Sequence, residues 1–151
     1  AIGAQGLDAA ALAYWASPLS RAADTMTLAR EALGLPAEPF QRDPRLMELS
    51  FGRWQNLTWP EIAERDPGGM AARRKDVWNF RPPGGECYAD LAARVRTWLD
   101  DLNGPTVAAA HGGVARALMV LIGGVAPADS FANPIHQGRA LVFANGRGRW
   151  V

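Results

Sequence analysis

The sequence predicts an α/β fold of three layers, with helices on both faces of a mostly parallel β-sheet. Short apolar runs of strand length alternate along the chain with longer segments whose apolar residues recur at helical spacing. One short run, residues 106–110, is small and apolar throughout, which is typical of a strand that is covered on both faces. The 151 residues suffice for one core, so we expect a single domain over residues 1–151.

The first part of the chain predicts a strand between two helical segments. Residues 1–11 are rich in alanine and indicate the end of a helix, and residues 12–16 follow as a strand. Ser17 is a candidate N-cap, and Pro18 suits the first turn of the next helix. Gly34 is expected to end that helix.

The middle of the chain predicts a loop, an extended segment and three helices. Residues 36–44 indicate a loop, and residues 45–51 alternate in polarity in their middle, as a short strand or an extended loop would. Thr58 and Glu61 have the spacing of a capping box. The predicted helices cover residues 59–65, 70–80 and 88–102, the first two separated by a turn at 66–69. The last has a predicted buried stripe of Leu91, Val95, Trp98, Leu99 and Leu102.

The last part of the chain predicts a strand, a helix and a hairpin. The strand is the run 106–110, and apolar residues recur at helical spacing from Val114 onward. A loop over residues 123–134 follows. Residues 140–144 and 149–151 then predict two strands, joined by the Asn-Gly-Arg-Gly turn between them.

A histidine lies where the apolar strand gives way to the following helix. His111 follows the strand directly, and Gly112 and Gly113 allow a tight turn and a close approach of the backbone to a ligand. Ligands of open α/β sheets bind outside the carboxyl ends of the strands, and a helix start offers free N–H groups to an anion. We therefore predict that His111 belongs to an anion site. The alternative is a histidine whose polar atoms are satisfied by backbone groups in a tight turn.

Two further polar residues lie where elements begin or end. Arg21 falls in the first turn of a predicted helix, where its guanidinium and the helix N-terminus could hold a phosphate together. Glu48 is flanked by Met47 and Leu49, and a carboxyl group among apolar neighbours can have the raised pKa that a general acid needs. For both residues the simpler alternative is a solvated side chain.

Charge, cysteine content and missing motifs exclude several classes of protein. The net charge of +1 predicts no attraction to nucleic acid, and no apolar run approaches the about 18–20 residues of a membrane span. Cys87 is the single cysteine, which precludes an intrachain disulfide and favours a reducing, cytoplasmic compartment. Two histidines and one cysteine do not form a metal ligand set, and no nucleotide-binding glycine motif is present. We therefore expect no metal and no cofactor.

Four short segments share residue patterns with one known family. Residues 17–25 contain the pattern Ser-x-x-x-Arg-Ala-x-x-Thr, and residues 46–54 contain Leu-x-Glu-x-x-Phe-Gly-x-Trp. Residues 82–86 are similar to a Pro-x-Gly-Gly-Glu loop, followed by Cys87 where a serine is usual, and residues 110–114 contain a histidine followed by two glycines. Together the four segments resemble the histidine phosphatase superfamily, the phosphoglycerate mutase-like proteins. The resemblance implies a phosphoglycerate mutase-like α/β/α sandwich.

One motif of that family is not found in this sequence. The family's Arg-His-Gly signature, on its first strand, carries the histidine that accepts the phosphoryl group. His136, the only histidine besides His111, has no such context. The resemblance therefore implies that the nucleophile lies upstream of residue 1, on a strand central to the sheet that the chain as given lacks.

The resemblance also implies a role for each candidate residue in a metal-independent phosphomonoester hydrolase. Arg21 would clamp the phosphoryl oxygens, with His111 and Gly112 also binding them. Glu48 would protonate the leaving oxygen and then activate the water that hydrolyses a phosphohistidine intermediate. The Phe-Gly-x-Trp pattern resembles the phosphatases of the family rather than its mutases. The implied substrate is a small phosphorylated metabolite.

Other interpretations of the same residues stay open. A catalytically inactive phosphate-ester binding or regulatory module would carry the same four segments. A nucleotide-binding α/β domain is disfavoured because no glycine fingerprint follows a strand. We expect residues 69–80 and 123–136 to select the substrate, and for His136 a structural role is the simpler interpretation. Nothing in the sequence points to a particular oligomeric state.

Overall fold

The structure is a computed structural model that describes residues 8–151, with five α-helices and five β-strands in that range. In chain order they are β1 (Ala13–Ala16), α1 (Ser20–Ala32), β2 (Gln41–Arg42), α2 (Trp59–Arg65), α3 (Pro67–Lys75), α4 (Tyr88–Asp100), β3 (Thr106–Ala109), α5 (Gly112–Ile122), β4 (Leu141–Ala144) and β5 (Arg147–Trp150). The helical tail predicted over residues 1–11 falls mostly outside the described residues. Its last part, Ala9–Ala11, is a single 3₁₀ turn capped by Asp8.

Strands β2, β1 and β3 form a parallel sheet in that order. Successive side chains of a strand point to opposite faces. Tyr14 and Ala16 of β1 therefore pack with Met26 of α1, while Trp15 packs edge-on against Trp98 of α4, with ring centroids 6.1 Å apart. Helices cover both faces of the sheet, so the predicted three-layer α/β sandwich is confirmed.

The larger hydrophobic core lies between the sheet and the helices α4 and α5. The predicted stripe of α4 contributes to it: Leu91, Val95 and Trp98 are buried, and Leu99 and Leu102 are half-buried. Complete burial of one aliphatic side chain contributes about 1.5–3 kcal/mol. The packing of α4 against α5 therefore fixes the start of α5, directly after β3.

Strand β3 is less covered than its composition predicts. Its side chains are half-buried, and Ala108 is exposed and borders a cleft. Among residues 8–151, β3 pairs only with β1, so its second edge has no strand beside it. The exposure of β3 is therefore greatest along the edge that faces away from β1.

The segment between β1 and residue 51 differs from the prediction in two places. Ser17 is not the N-cap, because α1 begins only after Leu19, whose backbone is extended. The predicted loop over residues 36–44 contains β2, which is too short to produce a recognisable alternation. For residues 45–51 the structure agrees with the second of the two predicted alternatives, a loop, and Glu48 lies on it.

Helix α2 has the predicted bounds, and both hydrogen bonds of the capping box between Thr58 and Glu61 are present. Gly68 and Gly69, which were expected to form the turn between two helices, lie instead in the first turn of α3. Asp66 is the reason, because its carboxylate caps α3 by accepting from the N–H of Gly69 at 2.8 Å. Helix α3 ends at Lys75 rather than at residue 80.

Strands β4 and β5 form the predicted hairpin, separate from the parallel sheet. The turn consists of Asn145 and Gly146, both with positive φ, as a tight two-residue turn requires. Because this turn is two residues long rather than four, β5 begins at Arg147 instead of residue 149.

Candidate active site

A cleft of about 840 Å³ opens at the carboxyl end of the parallel sheet. Strands β1 and β3 are parallel neighbours, so the residues that follow them emerge at the same edge. Arg21 in the first turn of α1 and His111 before α5 line this cleft, together with Glu48 and Gly112. The structure thus brings together the four residues that the sequence singled out. We call them, with Ser17 and Gly113 behind them, the sheet wall.

His111 is held by a serine that sequence reasoning assigned to a helix cap. Its Nε2 lies 2.8 Å from Oγ of the completely buried Ser17, whose own N–H donates to the carbonyl of Ala109 at 2.9 Å. Ser17 Oγ also accepts from the N–H of Leu19 at 3.3 Å, so its hydroxyl proton is free for Nε2. The ring proton then lies on Nδ1, which has no hydrogen-bond partner among the described residues and is available as a donor to a ligand.

The surroundings of His111 favour the neutral imidazole. Burial is the main cause of a pKa below the ordinary value for histidine. The carboxylate of Glu48 opposes this shift, whereas the positive charges of Arg21 and Arg94 add to it. At neutral pH the ring therefore acts as a neutral hydrogen-bond donor, with its charge withheld by burial.

Glu48 is fixed at the N-terminus of α5. Its Oε1 accepts from the N–H of Gly113 at 3.0 Å and from the N–H of Leu49 at 2.9 Å. The positive end of the helix dipole favours a carboxylate at this position. A Cβ at position 113 would collide with the Glu48 carboxylate, so a larger residue there would displace that carboxylate from the helix N-terminus. Glu48 is half-buried beside the cleft.

Arg21 and Gly112 offer donors that no described residue uses. The guanidinium of Arg21 has no ion-pair or hydrogen-bond partner among residues 8–151, whereas Arg45 pairs with Asp43 and Asp101. Gly112 begins α5, and the first N–H groups of a helix have no intrahelical acceptor. An anion in the cleft would meet both kinds of donor.

Glu86 and Arg94 hold the segment that carries Glu48. Arg94 donates to the Glu86 carboxylate at 2.9 Å, to the carbonyl of Arg45 at 2.6 Å and to that of Glu48 at 3.4 Å. Glu86 also accepts from the N–H of Ser50 at 3.1 Å. Burial raises the pKa of Glu86, but the hydrogen bonds from Arg94 and Ser50 outweigh it, and the net pKa lies below the usual value.

Sequence reasoning missed Arg94, although a signal for it was present. Arg94 lies three residues after Leu91 and directly before Val95, close to the buried face of α4. A charged residue at such a position indicates a partner, because arginine is rarely buried unpaired.

The loops that carry Glu48 and Glu86 pack backbone against backbone. A Cβ at Gly52 would collide with the backbone at Pro83, and a Cβ at Gly85 would collide with the backbone at Ser50. The N–H of Glu86 donates to the carbonyl of Ser50 at 2.8 Å and joins the two loops. Gly52 also has a φ of 54°, which side chains disfavour.

A second part of the cleft is formed by residues 135–139, ahead of β4, and we call it the hairpin wall. His136 and Arg139 of this wall border the same cleft as His111 and are exposed. The ring of His136 packs edge-on against Trp150 of β5, with centroids 5.1 Å apart. The sequence left the role of His136 open and did not single out Arg139.

The described part of the chain has neither a cluster of metal ligands nor a membrane-spanning helix. Between residues 8 and 151, no three histidine, cysteine, aspartate or glutamate side chains are grouped as a metal ion would need. In the same range, no helix combines the length and apolar character needed to cross a membrane.

Comparison with known proteins identifies the family. The family model for the histidine phosphatase superfamily, branch 1, matches residues 3–151. The chain belongs to the histidine phosphatase superfamily. A glucosyl-3-phosphoglycerate phosphatase of Mycobacterium tuberculosis is 36% identical over 115 residues, which cover 68% of this chain and 50% of that protein.

Other members of the superfamily match over most of the chain. A 2,3-bisphosphoglycerate-dependent phosphoglycerate mutase of Beijerinckia indica is 29% identical, over 92% of this chain and 72% of that protein. A solved structure of mycobacterial glucosyl-3-phosphoglycerate phosphatase with inorganic phosphate has a TM-score of 0.72 and 30% identity, over 93% of this chain and 75% of that chain. The family and fold that the four segments implied are confirmed.

The chain spans only part of several curated relatives. It covers 22% of a bifunctional protein of Mycobacterium tuberculosis, at 43% identity over 84 residues. It covers half of the glucosyl-3-phosphoglycerate phosphatase from the same organism.

Proposed function

We propose that the protein is a phosphomonoester hydrolase that works through a phosphohistidine intermediate. The observation that carries the proposal is the convergence of Arg21, His111 and Glu48 on one cleft. This arrangement occurs in a chain of the histidine phosphatase superfamily, whose matched relatives are named phosphatases and a mutase. Each side chain has a distinct chemical role in the proposed reaction.

Arg21, His111 and Gly112 bind the phosphoryl group in this proposal. The Arg21 guanidinium presents two parallel donors, and the neutral His111 ring donates from Nδ1. The amides at the start of α5 add partial positive charge at the same place. Phosphoryl transfer depends mainly on such positioning and charge stabilisation. These groups supply the required positive charge, so the proposed reaction uses no metal and no cofactor.

Glu48 is the proposed general acid and base. In the first step a histidine nitrogen attacks phosphorus, the bond from phosphorus to the alcohol oxygen breaks, and Glu48 gives its proton to that oxygen. In the second step water attacks phosphorus, Glu48 takes the proton of the water, and the histidine is released with inorganic phosphate. The hydrogen bond from Gly113 supports this role, because it holds the carboxylate beside His111.

The attacking histidine is proposed to lie upstream of residue 1, on a strand that completes the domain formed by residues 1–151. The free edge of β3 supports this proposal. Ala108 and Ala110 border the cleft on the side of β3, and Leu141 and Phe143 border it on the side of the hairpin. An extended strand parallel to β3 would satisfy the N–H and C=O groups of this edge and end beside His111.

The proposed substrate is a small phosphorylated metabolite. Relatives named for glucosyl-3-phosphoglycerate and for 2,3-bisphosphoglycerate support this size class. We further propose a cytoplasmic location, since the single, buried thiol of Cys87 suits a reducing compartment.

The test uses the full-length protein with its upstream segment and p-nitrophenyl phosphate as a generic phosphomonoester. We expect turnover that persists in excess EDTA, together with an acid-labile phosphoenzyme trapped by rapid quenching. Turnover that disappears with chelator would contradict the metal-independent mechanism. Binding of phosphate esters without turnover would favour the alternative, a catalytically inactive phosphate-ester binding or regulatory module.

A further inference from the structure

The hairpin wall contributes positive charge to the cleft from a side that the proposed mechanism does not use. Five ionisable side chains border the cleft, and four of them are basic: Arg21, His111, His136 and Arg139. The one acidic group, Glu48, accepts hydrogen bonds from the backbone of α5 and its own loop. The hairpin wall therefore adds a guanidinium and an imidazole to a cleft in which Arg21 and His111 already face the proposed phosphoryl group.

Ile135 places the start of the hairpin wall next to the sheet wall. It is close enough to Gly112 that a Cβ there would lie 3.9 Å from the isoleucine side chain. The next residue, His136, packs its ring on Trp150 of the hairpin. Gly112, His136 and Arg139 border one cleft, so a ligand in that cleft can meet both walls.

Arg139 is not committed to a protein carboxylate in the part of the chain that the structure describes. No ion pair or hydrogen bond of its guanidinium occurs there, whereas Arg42, Arg81 and Arg94 each pair with an acidic side chain. An exposed arginine that borders a basic cleft is available to a dissolved anion.

We propose that His136 and Arg139 form a second anion subsite, which binds a carboxylate or phosphate on the alcohol part of the substrate. The proposal rests on the hydrolase function proposed above and narrows its substrate class to phosphomonoesters with a second acidic group. It replaces the simpler interpretation of His136 as a structural residue. The charge of the second group would be met by one arginine and one imidazole, while Arg21 and His111 hold the phosphoryl group.

The test compares three ligands with the same three-carbon backbone. They are 3-hydroxypropyl phosphate, which has no second acidic group, the phosphate ester of 3-hydroxypropionate, which has a carboxylate, and propane-1,3-diol bisphosphate. Hydrolysis by the full-length protein gives kcat/KM for each, and isothermal titration calorimetry gives Kd independently of turnover. We expect at least one doubly acidic ligand to be preferred, and the better of the two identifies the group that the subsite binds.

The preference is the kcat/KM or Kd of a doubly acidic ligand divided by the same constant for 3-hydroxypropyl phosphate. The variants Arg139→Gln and His136→Gln should reduce this preference. For Arg139→Gln we expect a loss of about tenfold, the size of one charge-assisted hydrogen bond. Arg147→Gln is the matched control, since Arg147 is exposed on β5 but does not border the cleft. Its preference ratio should equal that of the unmodified protein.

The outcomes separate this proposal from the hydrolase function. If no doubly acidic ligand is preferred, the subsite is overturned, even if p-nitrophenyl phosphate is hydrolysed. The same holds if Arg139→Gln and His136→Gln leave the preference unchanged. A binding preference that these variants abolish supports the subsite even if no ligand is turned over. A loss of preference that Arg147→Gln also produces would attribute the effect to general surface charge and overturn the proposal.

Discussion

The two walls of the cleft are built in different ways. In the sheet wall, Ser17 holds the ring of His111, and Gly113 holds the carboxylate of Glu48. In the hairpin wall, His136 and Arg139 are exposed, and the histidine ring packs on Trp150. Groups that act on a phosphoryl group common to all substrates gain from being fixed in advance. Groups that meet the variable part of a substrate can remain adjustable until it binds.

The largest effect should come from the sheet wall. His111→Ala removes a donor to the transferring phosphoryl group and should lower kcat for p-nitrophenyl phosphate by about two or more orders of magnitude. Ser17→Ala keeps the ring but frees its orientation, so we expect a smaller loss of about tenfold. The measurements are kcat of the full-length variants and the ¹⁵N chemical shifts of His111, which report the tautomer.

The result for Ser17→Ala tests whether the hydrogen bond from Ser17 to His111 is what makes the sheet wall more rigid than the hairpin wall. Unchanged ¹⁵N shifts and unchanged kcat in that variant would mean that packing alone orients His111. The contrast between the walls would then reduce to their difference in burial.

The second prediction compares two adjacent glycines of α5. Gly113→Ala should destabilise the fold by about 1–3 kcal/mol, because the new methyl group collides with the Glu48 carboxylate. At Gly112 the nearest atoms to a new Cβ are 3.9 Å away, which is ordinary contact, and alanine favours a helix by up to about 1 kcal/mol. Urea unfolding of both variants measures the difference. Equal unfolding free energies would show that Glu48 is not held tightly against α5.

The smallest effect concerns the support behind the sheet wall and depends on pH. Arg94→Met keeps the packing of the aliphatic chain but removes the cation beside Glu86, and should cost about 1–2 kcal/mol at pH 7. The folded pKa of Glu86 is below its ordinary value, so this group stabilises the fold above the unfolded pKa of about 4.3. That contribution is lost as the pH falls through the lower, folded pKa.

Unfolding measured from pH 7 down to pH 3 tests this linkage. The difference between the unmodified protein and Arg94→Met should shrink as the pH falls through the folded pKa of Glu86. Arg96→Met is the control on the same helix, since Arg96 is exposed and, within residues 8–151, its side chain donates only to the carbonyl of Leu121. A pH-independent difference would mean that Arg94 acts through the carbonyls of Arg45 and Glu48 and not through Glu86.

Local signals predicted those parts of the fold that depend on neighbours in sequence. The capping box defined α2 to the residue, and the apolar stripe located α4. The strand β2 escaped prediction because only its pairing with β1, from far along the chain, makes it a strand. The glycine pair before Met70 became helical because Asp66 supplied a cap that outweighed the low helix propensity of glycine.

The candidate site follows the same rule. Arg21, Glu48 and His111 could be selected because each follows or interrupts an apolar run at the end of an element. The partner of His111 could not be selected, since Ser17 lies 94 positions away in the sequence and had a plausible local role as a cap. The hairpin wall had no local pattern, because contacts between distant parts of the chain, such as Ile135 near Gly112, bring it to the cleft.

The contact between Gly52 and Gly85 bears on how relatives of this protein are recognised. The two glycines belong to separate sequence segments, 46–54 and 82–86, yet neither loop leaves room for a side chain in the other. A larger residue at one position therefore requires a rearrangement of both loops, so one contact constrains both positions. The presence of both glycines in a new sequence thus reports a single loop–loop contact and not two independent features.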